Sequence, residues 1–361
     1  KIMAGVDKEF VGIRAQNQWG LNVSFNTINN NDGAGVNHNG PLRGIYAQSG
    51  TSASVNINNN TITLTSGTTG GSACTPIENA IGSTAAANTV NINDNTITAS
   101  LPSATTANFV AISQTATAAN VNVNGNIIQN CSLPGSGSWT GILNSSATGT
   151  ISLVGNDIIN NTIASTGLFI GITNTTGGTI SSLSINNNVI SNNTKNINAG
   201  THNIINTSGV AGANMTVNGN IITDNTFNTT IAAGNIILNA INGGTSTYTY
   251  DGNIVSNISI AGLAGNATTT FRGIANVSGA TNETISNNQV SRMFVTGTTT
   301  GIATIIGIIS NAGAASVKNI FNNRVDTLYS GSAVNSNITG IQSTTGATIG
   351  IYRNKIGHLV G

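Results

Sequence analysis

The chain has 361 residues, a net charge of +1 and only 6% charged residues, with 44 glycines and an abundance of Asn, Ser and Thr. So few charges exclude both an ordinary globular surface and a charge-rich disordered tail, while 38% apolar residues suffice for a core if they fall at regular positions. No Lys or Arg occurs between Arg43 and Lys195, which leaves no electrostatic footprint for nucleic acid, and no apolar run reaches the ~20 residues of a membrane helix.

In chain order, one asparagine recurs in a fixed frame: Asn26, Asn60, Asn95, Asn126, Asn156, Asn188, Asn220, Asn253, Asn288, Asn323 and Asn354, at spacings of 30 to 35 residues. Two positions later stands a β-branched aliphatic every time, from Ile28 and Ile62 to Val325 and Ile356. Three positions earlier stand Val23, Ile57, Ile92, Val123, Leu153, Ile185, Val217, Tyr250, Ile285, Ile320 and Ile351. Five positions earlier the residue is again apolar, except at Glu283 and Lys318. Apolar residues alternating with polar ones predict a strand with one buried face.

The residue just before the anchor is Asn, Asp or Gly in nine coils, as at Asn59, Asp94 and Gly125. These types tolerate left-handed backbone, so a corner is expected there. Upstream of each anchor lies a second strand motif: Phe10-Val-Gly-Ile13, Leu42-Arg-Gly-Ile45, Trp139-Thr-Gly-Ile142, Phe169-Ile-Gly-Ile172, Phe271-Arg-Gly-Ile274, Ile305-Ile-Gly-Ile308 and Ile338-Thr-Gly-Ile341. Weaker copies occur around Ile81, Phe109, Ile205 and Leu238. The links between are rich in Gly, Ser and Thr and vary in length.

No segment has helical periodicity, so residues 1–361 read as one all-β domain: a parallel β-helix of eleven coils of about 33 residues. Right-handed winding follows from the hand of parallel crossovers. A lone coil buries too little to offset the entropy of ordering it, so stability must come from stacking, with like side chains over like and the anchor amides forming a ladder. Lys1-Ile2 repeats the Lys355-Ile356 that follows the last anchor, which predicts a window on a longer solenoid, or a unit whose ends stack on other copies.

The segments Val-Asn-Ile-Asn-Asn-Asn-Thr-Ile at 55–62 and Val-Asn-Val-Asn-Gly-Asn-Ile-Ile at 121–128 resemble the parallel β-helix repeats of the pectate-lyase-like superfamily. The long, Asn- and Thr-rich, charge-poor coils look most like the giant repeat-rich surface proteins secreted by Bacteroidetes. That resemblance implies an extracellular structural or adhesive stalk or filament segment at the cell surface. Its expected partners are other copies of itself and surface glycans.

The rival reading, a β-helix polysaccharide lyase or hydrolase, requires converging carboxylates on neighbouring coils. Asp94, Asp157, Asp224, Asp251, Glu283 and Asp326 sit at different offsets from their anchors. Asp7 and Glu9 lie with Arg14 before the first full coil, where a solvated edge accounts for them. No catalytic residue, cofactor or metal is therefore expected. His38, His202 and His358 lack metal-ligand spacing and read as surface or satisfied core residues. Arg292, Lys318, Arg324, Arg353 and Lys355 read as a solvated face, and Cys74 and Cys131 lie too far apart in phase to pair.

For a glycan-binding module, Trp19, Tyr46, Tyr329 and Tyr352 are the surface candidates, because the aromatics of the Gly-Ile motif share one interior column. An ice-binding array begins at Thr61-Ile62-Thr63 and Thr96-Ile97-Thr98 but stops in the next coil. Sequons such as Asn160-Asn161-Thr162 follow from composition, and Asp326-Thr327-Leu328 is a three-residue match to an O-glycosylation site of the same bacterial group.

Overall fold

The computed structural model describes residues 9–30, 40–66, 72–101, 106–175, 180–197, 201–208, 214–229, 235–242, 247–263, 269–277, 280–297, 302–311, 313, 316–331 and 336–361. The expectations placed on Lys1, Ile2, Asp7 and His38, and on the side chain of Leu238, fall outside them. Among the described residues every element is a β-strand and every pairing is parallel, so the chain is a β-solenoid with three strands per coil. Among the described residues no helix is long and apolar enough to cross a membrane.

Three sheets run the length of the molecule. Sheet I, from Phe10–Gln16 to Asn337–Ser343, and sheet II, from Gly20–Ser24 to Thr348–Tyr352, have eleven strands each. Sheet III, from Thr27–Asn29 to Lys355–Val360, has fourteen, because three coils in the middle divide their strand in two. The winding makes about nine turns rather than eleven, and nine of the eleven rungs are stacked on both sides.

The register explains the sequence frame. Phe109, Trp139 and Phe169 stand directly over one another in sheet I, as do Ile112, Ile142 and Ile172. The Trp139 ring stacks on Phe109 at 5.7 Å and on Phe169 at 5.1 Å, so the aromatic column is interior as expected. In sheet II, Ile57 pairs with Ile92, and in sheet III Ile62 pairs with Ile97. These columns merge into one continuous core.

Between the aromatic and isoleucine columns runs the glycine of the Gly-Ile motif. A Cβ at Gly273 would lie 2.7 Å from the Val290 side chain, and one at Gly307 would lie 2.5 Å from Val325. Sheet I and sheet III are in close contact there. Where the motif carries glycine, the aliphatic two places after the anchor packs into the space a side chain would fill.

Burial depends on stacking. Ile320, covered on both sides, is fully buried, whereas Ile351 directly over it in the last coil is 50% exposed. The same side chain in the same column is withdrawn from water only when another coil lies on top.

Candidate functional site: the asparagine ladders

The bend between sheets II and III is made by left-handed backbone at Asn59, Asp94, Gly125, Gly155, Asn187, Gly219, Gly252, Asn287 and Asn322, the nine positions chosen for that property. The first and last coils carry Phe25 and Arg353 there, also left-handed. Immediately after the bend, all eleven predicted anchors point inward and form one ladder. Asn26 donates its backbone N–H and Nδ2 to Oδ1 of Asn60, each at 3.0 Å. The same pair of bonds then links Asn60 to Asn95 and Asn95 to Asn126. It continues through Asn156, Asn188, Asn220, Asn253, Asn288 and Asn323 to Asn354.

Each interior amide is saturated. Asn188 accepts from the N–H and Nδ2 of Asn156, and donates Nδ2 to Oδ1 of Asn220 and to the carbonyl of Leu153. A carboxylate in this position would lose both donors, and a hydroxyl could not replace them all. Anchors Asn60 to Asn323 are at most 2% exposed, so the ladder couples coils and presents nothing to a substrate.

Two further ladders escaped the sequence reading. Five places after the anchor, Cys131 N–H, Asn161 and Asn193 donate in turn to Oδ1 of Asn161, Asn193 and Asn225, beside left-handed Asn130, Asn160, Asn192 and Asp224. On the outside of sheet II, Oδ1 of Asn58 accepts from Asn93 N–H, Asn93 from Asn124 and Asn124 from Val154. Beside it Asn122 donates to Asn91, and Asn91 to Asn56, each at 2.8 Å. Only the short +5 spacing and the recurrent Asn two places before the anchor could have signalled them.

Three groups of charged residues make contacts with one another. At the first coils, Arg43 bridges Glu9 and Glu78, Arg14 also pairs with Glu9, and both guanidiniums lie over the Tyr46 ring, at 4.5 and 5.5 Å. Tyr46 is thereby covered, while Trp19 is 86% exposed. At the last coils, Asp326 pairs with Arg324 at 2.7 Å and with exposed His358 at 3.1 Å, contacts that hold its carboxyl at about 2.

The third group is interior and corrects the sequence reading. Lys318 does not belong to a solvated face: it is fully buried, directly over buried Glu283 in sheet II. Nδ2 of Asn276 donates to Glu283 at 2.6 Å, Ser310 Oγ also donates to it, and Lys318 Nζ donates to the Ser310 carbonyl at 3.3 Å. Burial raises the Glu283 carboxyl and lowers the Lys318 ammonium. Tyr250, fully buried nearby, is pushed well up by burial and then by Glu283.

His202 replaces an aromatic in the interior column of sheet I, and its Nε2 has no partner, so it is buried but not satisfied. Burial, and then Lys195, lowers it to about 4. Cys74 and Cys131 are free and buried, the latter thiol pushed up to about 12 by burial. Thr61 and Thr63 stand in register with Thr96 and Thr98, and the next coil places Ile127 over Thr96. Among the described residues no group of three His, Cys, Asp or Glu could hold a metal ion. No protein-family profile, curated protein or solved structure matches the chain.

Proposed function

We propose that the chain is an extracellular structural or adhesive solenoid, a stalk or filament segment of the kind found on cell surfaces. The observation that carries this reading is the ladder that runs without interruption from Asn26 to Asn354 through a continuous core. Its polar side chains are spent on joining coil to coil. A region without Lys or Arg from residue 44 to 194 offers trypsin-like proteases no site, which suits exposure outside the cell. Near-zero net charge favours association over free diffusion, so self-association and end-to-end stacking belong to the same reading.

The resemblance to pectate-lyase-like repeats and to secreted Bacteroidetes surface proteins supports it by analogy alone. A glycan-binding role draws on one specific observation, the exposed Trp19. Electron microscopy of the purified chain should show rods or fibres, and incubation with pectin or alginate should give no products. A defined cleavage product, lost on changing one acidic residue, would overturn the structural reading. Glycan-array binding abolished by Trp19→Ala would make the chain an adhesive module rather than a spacer.

A further inference from the structure

Among the described residues two lysines are buried inside the solenoid, and they differ in what balances them. Lys318 lies over Glu283. Lys195 is 1% exposed, between Ile163 and Phe227 in its column, and makes no ion pair with a carboxylate among the described residues. An isolated ammonium in an apolar interior is costly unless a counter-charge or a full set of acceptors accompanies it.

We propose that Lys195, with the neighbouring Ser165 and His202, binds a small monovalent anion of the halide class. These residues are tied to one short described segment, Ser165 to Phe169. Lys195 Nζ donates to the Ser165 carbonyl and, at 2.5 Å, to the Asn196 carbonyl, which leaves one of its three N–H groups. At the other end of the segment, Phe169 N–H donates to Nδ1 of His202 at 3.2 Å.

That bond fixes the histidine tautomer. Because Nδ1 accepts, the neutral ring carries its hydrogen on Nε2, which is buried without a partner. Ser165 Oγ, also fully buried, lacks a partner as well. Ammonium and this imidazole Nε2 are donors only, and the serine hydroxyl can act as one.

A set dominated by donors and carrying one positive charge suits an ion that accepts in every direction. A water molecule would need acceptors for its own hydrogens. A phosphate would bring more charge and volume than one buried lysine can balance. Burial holds Lys195 near 8, so at neutral pH it is still mostly charged and the need for a counter-ion persists.

The test is a sodium bromide soak of crystals of the whole chain, with anomalous scattering located, alongside thermal melts of the wild type and Lys195→Met in increasing sodium bromide. An anomalous peak within hydrogen-bond reach of Lys195 Nζ is expected, with a bromide-dependent gain in Tm that Lys195→Met lacks. Absence of the peak, or the same bromide dependence in both proteins, would overturn the site. Should Lys195→Met fail to fold, Ser165→Ala removes a single donor. It should raise the half-saturating bromide concentration several-fold, and an unchanged value would also overturn the proposal.

Discussion

The corner five places after the anchor is built in two ways along the same sheet. In the middle coils Asn161, Asn193 and Asn225 hold it with an amide ladder, and sheet III divides there into Val189–Ser191 and Thr194–Ile197 and their neighbours. Toward the C-terminus Ile258, Met293 and Leu328 occupy the same inward position, fully buried, and the strand runs through as Ile254–Leu263, Gln289–Gly297 and Arg324–Ser330. Both regions keep a left-handed residue one place earlier: Asn160, Asn192 and Asp224 in the first, Asn257, Arg292 and Thr327 in the second. The left-handed residue therefore makes the bend. The inward residue decides whether the bend is joined to the next coil by hydrogen bonds or by packing.

Exchanging the two chemistries should break both regions. Asn193→Leu strands the donors of Asn161 and the carbonyl of Ile158, and should cost about 3–6 kcal/mol, from about 1–3 for each buried group left unpaired. Met293→Asn places a buried amide between Ile258 and Leu328, and should cost about 2–5 kcal/mol through lost apolar burial and unmet hydrogen bonds. Urea unfolding of each variant measures this. If either swap were neutral, the two corners would be interchangeable and the distinction empty.

His202 extends the contrast into the divided region. Its folded value is about 4 against about 6.5 unfolded, so between these pH values the unfolded chain binds the extra proton, and stability falls as pH drops. The whole difference is worth roughly 3 kcal/mol. His202→Phe, which restores the aromatic column, should flatten the stability curve between pH 4 and about 6.5. Unfolding followed across that window checks it, and an unchanged slope would place the proton elsewhere.

Gly273→Ala probes the packed C-terminal region, where the new methyl meets the Val290 side chain and the Gly307 carbonyl. A loss of about 1–3 kcal/mol is expected. Ala111, which replaces the glycine in another coil and is fully buried, argues for the lower end.

What could be read in advance follows from the same division. The anchor ladder was legible because it returns in every coil with an invariant frame, and so was the left-handed corner, since only a few residue types adopt it. The ladder of Asn161, Asn193 and Asn225 spans three coils in a chain full of asparagine, and three copies do not stand out. Glu283, Lys195 and Lys318 were illegible for a physical reason. Charge signals solvent unless the neighbours that bond it are known, and those neighbours, Asn276, Ser310 and Ser165, lie outside the strands of the residues they bond. The packing role of the motif glycine was likewise hidden, because the aliphatic that fills the space beside it lies in another sheet.

The central claim, that the Asn26-to-Asn354 ladder is what couples the coils, is tested most directly by the thermal unfolding of Asn188→Leu. The substitution leaves the N–H and Nδ2 of Asn156 and the carbonyl of Leu153 unpaired in the middle of the run. The ladder account predicts a clear fall in Tm with a loss of about 3–6 kcal/mol, on the scale of several buried groups left without partners. An unchanged Tm would show that the coils are held by the core and the sheets alone, and that the ladder is incidental to the rod.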